Sequence, residues 1–393
     1  MLKSILRVAV PMAVAIGLTT AGGMSQAAGA PGWRVIGLLP GEATITNDFS
    51  AVAADGPADA WIAGSVNNTL TVRHWTGRSW HSVAVPNSHA FSQVTALAAL
   101  SPSSVWIFAS VGTSTAQKTA VLRWTGKRWR APTILHAFVA ATVAFKGDNV
   151  WVFGLTANGK APYAASYNGS KWVQVAAPPQ YADVASATSP SNIWVMGQPV
   201  KQTSLQDPVE IDWFNGHKWI TTRHPPFNLP SGWFVEPPEG IVADGPSNVY
   251  ATGAMDEPDT LLTGLPEESP YVWHWDGAKW FNVPVPYSNP FHQDFGTGFG
   301  PVDGAIAQDG HGGVWLAEQN QDSNALPTGA FGVLLHFGHH VWSRFPVPAT
   351  KGDVDLPGVL AWIPGTRSVW GIGAEEPGAT GGDFDTTILK YGV

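Results

Sequence analysis

The sequence predicts an all-β fold, a seven-bladed β-propeller with four strands per blade. Three observations carry that expectation. First, a two-part aromatic signature recurs along the chain. One half reads Asp59-Ala60-Trp61-Ile62-Ala63-Gly64, and its aromatic returns at Trp106, Trp151, Trp194, Tyr250, Trp315 and Trp370. The other half reads Trp75-Thr76-Gly77-Arg78-Ser79-Trp80, and its closing Trp returns at Trp129, Trp172, Trp219, Trp280 and Trp342. A fixed period of this kind marks a repeat architecture. Second, the last copy is incomplete. It begins at Trp370 and ends at Lys390-Tyr391-Gly392-Val393, without the Trp strand that should follow. Third, that strand stands at the other end of the chain. Gly32-Trp33-Arg34-Val35-Ile36, followed by Pro40, matches Ser79-Trp80-His81-Ser82-Val83, followed by Pro86. A ring joined at its two ends needs this arrangement, whereas an open solenoid carries capping repeats. Four-stranded blades around a channel make a propeller.

The elements follow in order. Residues 1–30 read as a secretory signal: Lys3 and Arg7, an apolar run from Val8 to Leu18, then small residues ending at Ala30. The run is too short to span a bilayer, so no membrane insertion is expected. Residues 31–393 read as one ring. In the first unit the inner strand is Phe49–Ala54, small and apolar. The turn Asp55-Gly56-Pro57-Ala58 leads to the second strand around Trp61. The third strand is Leu70–Trp75, and the Gly77 turn leads to the outer strand Trp80–Val85. Val72/His74 and Trp80/Ser82 keep the period of two that strands require. Sixteen of the 20 Trp fall at repeat positions, where each buries a large area between blades. His74, His274 and His336 share or neighbour one third-strand position, so packing explains them first.

Composition narrows the function. Charged residues are 13% of the chain, about half the usual share. The few Lys and Arg read as scattered, and a nucleic-acid partner needs a basic stripe. There is no Cys, hence no disulfide and no lipid-anchored Cys. The expected location is secreted and extracellular, and the expected state a monomer.

Insertions mark the candidate site. Spacings between second-strand aromatics are 45, 45, 43, 56, 65 and 55. The extra residues fall between second and third strands (254–270, 317–330, 374–385) and between blades (223–240, 287–304). Blade strands alternate in direction, so both loop kinds should emerge on one face of the disc, over blades four to seven. Per-repeat insertions on one face are often the binding face. These five stretches hold 15 of the 29 acids and one base, Arg223. The field there should be negative and should repel anions. A neutral glycan or a cell-surface protein partner fits such a face, and so does a merely solvated acidic rim.

Aromatic platforms beside hydrogen-bond-accepting acids suit sugars. Trp233, Phe234, Phe291 and Phe295 lie in the blade connections, and Trp362 lies on the last inner strand. These are the candidate ligand-binding residues, although Trp233 could instead plug its own loop onto the disc. A glycoside hydrolase needs two flanking carboxylates, for which Glu236, Glu239, Asp294 and Asp303 are the candidates. A lyase needs a base such as His224 or His292, but the rim offers little positive charge to neutralise a uronate. No cofactor is expected and no metal site is assigned. Asp256, Glu257 and Asp259, or Asp383 and Asp385, supply the oxygen ligands that Ca²⁺ takes. No Gly-x-Ser-x-Gly nucleophile elbow is present.

The pattern Asn149-Val150-Trp151-Val152-Phe153-Gly154, followed by Tyr167-Asn168-Gly169 and Trp172, resembles the Trp-rich propeller repeats of secreted bacterial proteins. The resemblance covers residues 31–393. It is kelch- and WD40-like in layout, without the paired glycines of the one or the Gly-His and Trp-Asp pairs of the other. It also lacks the Ser-x-Asp-x-Gly-x-Thr-Trp turn of sialidase-type propellers. It implies the fold; propellers host lectins, hydrolases, lyases and scaffolds alike.

Overall fold

Period-two alternation drives each unit into antiparallel strands. The computed structural model describes residues 31–39, 47–112, 118–201, 208–229, 231–256, 268–285, 299–320, 332–348, 353–376 and 385–392. In blade one the strands are Asn47–Gly56, Asp59–Val66, Thr69–Trp75 and Trp80–Ser82. They pair in that order, and every later blade repeats the plan. The inner strand is longer than the sequence predicts. The outer strand stops at Ser82, although Val83 still donates to the Val72 carbonyl at 2.9 Å.

Seven sheets result, and the seventh closes the ring as expected. Its first three strands are Asp353–Trp362, Val369–Glu376 and Asp385–Gly392. Its fourth is Gly32–Leu39, from the other end of the chain, with Trp33 opposite Tyr391. First strands of successive blades touch in turn, and that of blade seven touches that of blade one. These seven strands surround the axis.

Loop geometry follows from pairing. Val66 lies opposite both Asn47 and Thr69, so blade entries and second-to-third loops share one face. On the other face the two remaining turns meet, where the Trp75 indole donates to the Pro57 carbonyl at 3.2 Å. The segments 257–267, 286–298, 321–331 and 377–384 lie outside the described residues.

Aromatic rows fill the space between blades. Trp61, Trp106, Trp194, Trp315 and Trp370 are all fully buried. Trp194 meets Trp275 and Trp280 of the next blade at centroid distances of 5.3 and 5.7 Å. A buried indole N–H needs an acceptor. The residue two before the Trp provides it: Asp59, Ser104, Asn149 and Asn192 accept at 3.0–3.2 Å in blades one to four. Gly313 stands there in blade six, and the Trp315 N–H has no partner among the described residues.

One third-strand position completes the latch. His74 stacks on Trp61 at 4.0 Å and is hydrogen-bonded to Asp59. His274 pairs with Asn248 at 2.7 Å, and His336 with Asp309 at 2.8 Å. Trp213 fills the same place in blade four, donating to Asn192 at 2.9 Å. The packing role read for the three His is therefore what the fold gives them.

Each first strand bulges near its rim end. The unpaired residue is Ser50 in blade one, Thr95 in blade two, Ala140 in blade three and Asp183 in blade four. The bulge turns a first-strand carbonyl toward the second strand, which explains the Gly three residues after the repeat Trp. A Cβ on Gly197 would lie 1.8 Å from the Tyr181 carbonyl oxygen, and one on Gly154 2.0 Å from that of Phe138. Glycine accepts that approach without a clash in blades three and four, whereas blade two carries Ala109 at the same place.

Candidate functional site

In blade five the bulge grows into a break. Two prolines follow each other in Glu236-Pro237-Pro238-Glu239, and proline brings no N–H to a ladder. The first strand is split into Phe234–Val235 and Gly240–Ala243, both paired to Val249–Asp256. The glutamates hold the two ends of the break. Glu236 N–H donates to the Ala254 carbonyl at 3.0 Å, and Glu239 N–H to that of Thr252 at 3.2 Å. Both side chains are half-buried.

Register brings a third carboxylate to the same level. Asp183 sits between Ala182, opposite Gly197, and Val184, opposite Met196. On the next blade Gly240 lies opposite Thr252, as Val184 lies opposite Met196, and Glu239 precedes Gly240 as Asp183 precedes Val184. Asp183 and Glu239 therefore hold equivalent positions at the rim ends of neighbouring first strands, and those strands contact each other. Burial pushes the Asp183 carboxyl up to about 7, because removing a carboxylate from water disfavours its charge. Its Oδ2 has no hydrogen-bond partner among the described residues.

Further out in blade four, Asp212 is fully buried, accepting from the Thr221 hydroxyl at 2.7 Å. Burial raises its carboxyl to about 6; Glu210 adds to that, while Thr221 and Gln180 oppose it. The Gln180 amide, itself buried, donates to the Val195 carbonyl at 3.2 Å.

The sequence-expected residues divide into three groups. Glu236 and Glu239 both lie at the rim end, on either side of the break. Phe291, His292, Asp294 and Phe295 lie outside the described residues, as do Glu257, Asp259 and Asp383 of the Ca²⁺ candidates. Asp303 is placed only as backbone, in the strand Phe299–Gln308.

The others are taken up by packing. Trp233 is 8% exposed, in a core cluster with Trp194, Met255 and Trp273. It plugs its loop onto the disc rather than offering an open platform. Phe234 is half-buried in the short strand opposite Asp256. His224 stacks on Trp273 at 4.4 Å, and its Nδ1 and Nε2 lie 2.8 and 3.2 Å from the carbonyls of Pro225 and Val209. Trp362 lies at the far end of its strand, donating to the Thr366 carbonyl at 2.8 Å. It packs beside Gly310 on the face away from the rim.

Asp183 is the residue that sequence reasoning missed. Its signal was an acid inside a small apolar first strand, Tyr181-Ala182-Asp183-Val184-Ala185. No group of three or more His, Cys, Asp or Glu suited to a metal occurs among the described residues. No helix among them is long and apolar enough to cross a membrane.

No family model and no curated protein matches this chain. Solved structures do match in shape. A GH74 xyloglucanase from Xanthomonas campestris aligns over 90% of this chain with a TM-score of 0.53 and 13% identity. This chain spans 55% of the length of that enzyme. The WD40 repeats of RRP9 align over 93% of this chain and 99% of theirs, with a TM-score of 0.57 and 10% identity. At such identities the likeness is one of fold: this chain is a seven-bladed β-propeller with propeller neighbours.

Proposed function

We propose that this protein is a secreted, monomeric β-propeller binding module that engages a neutral glycan on the rim face over blades four to seven. One observation carries the reading. The blade-five break sets Glu236 and Glu239 at the rim end of the axis-lining strands, and Asp183 holds the position equivalent to Glu239 in blade four. Ionised carboxylates accept hydrogen bonds from sugar hydroxyls and repel anionic ligands. Loops that differ from blade to blade suit a single asymmetric site. At the level of fold, the likeness to a xyloglucanase is compatible with a carbohydrate ligand. A cell-surface protein is the other partner this face could take.

A second reading rests on the raised carboxyl of Asp183. A glycoside hydrolase keeps one acid protonated near neutrality while its partner is ionised. Asp183 as acid and Glu239 as base or nucleophile would fill those roles.

A glycan array tests the first reading. The protein should retain a neutral oligosaccharide, and Glu239→Gln should lose it. Product analysis on that oligosaccharide tests the second, where Asp183→Asn should abolish turnover and leave binding in place. An array with no neutral ligand would overturn both.

A further inference from the structure

The opposite half of the ring carries the opposite charge. Residues 60–182, which make up most of blades one to three, hold ten of the 21 Lys and Arg and one of the 29 acids, Asp148. The bases are not scattered, as the linear sequence suggested; the ring gathers them on one side. Four of them, Arg123, Arg128, Arg130 and Lys171, line a groove of about 980 Å³ between the outer parts of blades two and three.

A detour in the outer strand of blade two opens this groove. Trp129 bridges Trp124, and Arg130 N–H donates to the Arg123 carbonyl at 2.9 Å. Pairing resumes only at Thr133, opposite Val121. Ala131 and Pro132 are left to arch outward, both exposed. In blades one, three and five the outer strand follows its partner without such a gap.

The groove wall alternates cations with apolar surface. Arg123 is tied into the fold: its guanidinium lies 4.8 Å from the Trp106 ring centroid and is ion-paired with Asp148. Arg128, Arg130 and Lys171 are exposed, and none forms an ion pair among the described residues. Between them lie the half-buried Trp172 and Ile134, which is 43% exposed. The Arg123 Nε and Trp129 Nε1 donors have no partner among the described residues.

We propose that this groove is a second binding site, for an acidic saccharide chain. Arg128, Arg130 and Lys171 hold its carboxylates, and Trp172 and Ile134 pack against sugar C–H faces. A planar guanidinium matches a carboxylate in two parallel hydrogen bonds. The volume lies at the upper end of the range for small-molecule sites, which allows more than one sugar unit. Pro132 brings no N–H to the outer edge, which disfavours a peptide adding there as a further strand. The site stands independently of the rim reading, because its lining shares no residue with the rim.

Titration calorimetry of the protein with tetragalacturonic acid tests this. Binding should occur at low salt and weaken as salt rises. A neutral galactose tetrasaccharide should not bind the groove. The triple variant Arg128→Gln, Arg130→Gln, Lys171→Gln should lose roughly tenfold or more in affinity, each such factor being about 1.4 kcal/mol. Lys218→Gln, an exposed lysine on blade four, should change nothing. Unchanged affinity in the triple variant, or equal binding of the neutral tetrasaccharide, overturns the proposal. Tighter binding of a short oligothymidylate or an acidic peptide through the same three residues overturns the saccharide assignment.

Discussion

Blades one to three and blades four to seven share one scaffold and differ in everything a ligand would meet. The first group has short connections, second-strand aromatics spaced by 45 and 45 residues, and a basic outer groove. The second has spacings of 56, 65 and 55, a broken first strand in blade five, and most of the acids. The Trp latch spans both groups, from Trp61 and Asp59 to Trp194 and Asn192. Sequence variation in this ring therefore acts at its edges, while the inter-blade interior stays the same. The charge separation follows from that division: surface residues can change sign without disturbing the packed rows.

The largest effects should ignore the division. Trp106→Ala in blade two and Trp194→Ala in blade four each remove a fully buried indole. Each should lower unfolding free energy by about 3–5 kcal/mol in urea titrations. A loss under about 1 kcal/mol in one half alone would mean that the halves do not share a scaffold.

The next effect belongs to the acidic half. Asp183 is held protonated by burial up to about 7, above the ordinary 3.8. A raised carboxyl favours the fold at low pH, and that contribution is lost as pH rises between those two values. Asp183→Asn should therefore raise stability at pH 8 by roughly 2 kcal/mol and change little at pH 4. A destabilised variant at pH 8 would show that the charged form is the one the fold uses.

A smaller effect has the opposite sign. Burial pushes the Asp309 carboxyl up, but hydrogen bonds from His336 and from the backbone N–H groups of His311 and Gly313 outweigh it and hold it at about 2. That depressed value stabilises the fold above the unfolded value, and the contribution is lost as pH falls through about 2. Asp309→Asn should cost about 1 kcal/mol at pH 7, after screening of a partly exposed group, and progressively less below pH 4. A pH-independent loss would reduce the residue to a backbone cap for His311 and Gly313.

The two halves also differ in how legible they were. Repeated features were readable because periodicity survives in one dimension: the Trp rows, the closing strand at Trp33, and the shared loop face. The acid at Asp183 was not, because its importance depends on a bulge and on a neighbour in another blade. Glu236 and Glu239 were singled out by the length of their loop, while the prolines that break the strand between them went unread. Trp233, His224 and Trp362 looked free because they fall off the repeat; packing onto Trp194, Trp273 and Gly310 absorbs them. The basic half escaped because Lys and Arg recur at no fixed period. Only the packing of successive blades brings Arg128 and Lys171 to one groove.

The smallest stability effects separate scaffold from ligand surface within that groove. Arg123 and Arg130 are seven residues apart, and both line it. Arg123 lies over the Trp106 and Tyr167 rings and pairs with Asp148. Arg123→Gln breaks a partly buried ion pair and a cation–π contact, and should cost about 1–2 kcal/mol. Arg130 contributes only its backbone to the latch, through the Arg123 carbonyl. Arg130→Gln keeps that bond and should stay within about 0.5 kcal/mol of the parent in urea titrations. If it did not, its side chain would belong to the packing and not to the surface, and the division between a constant interior and a variable charged edge would move inward by one strand.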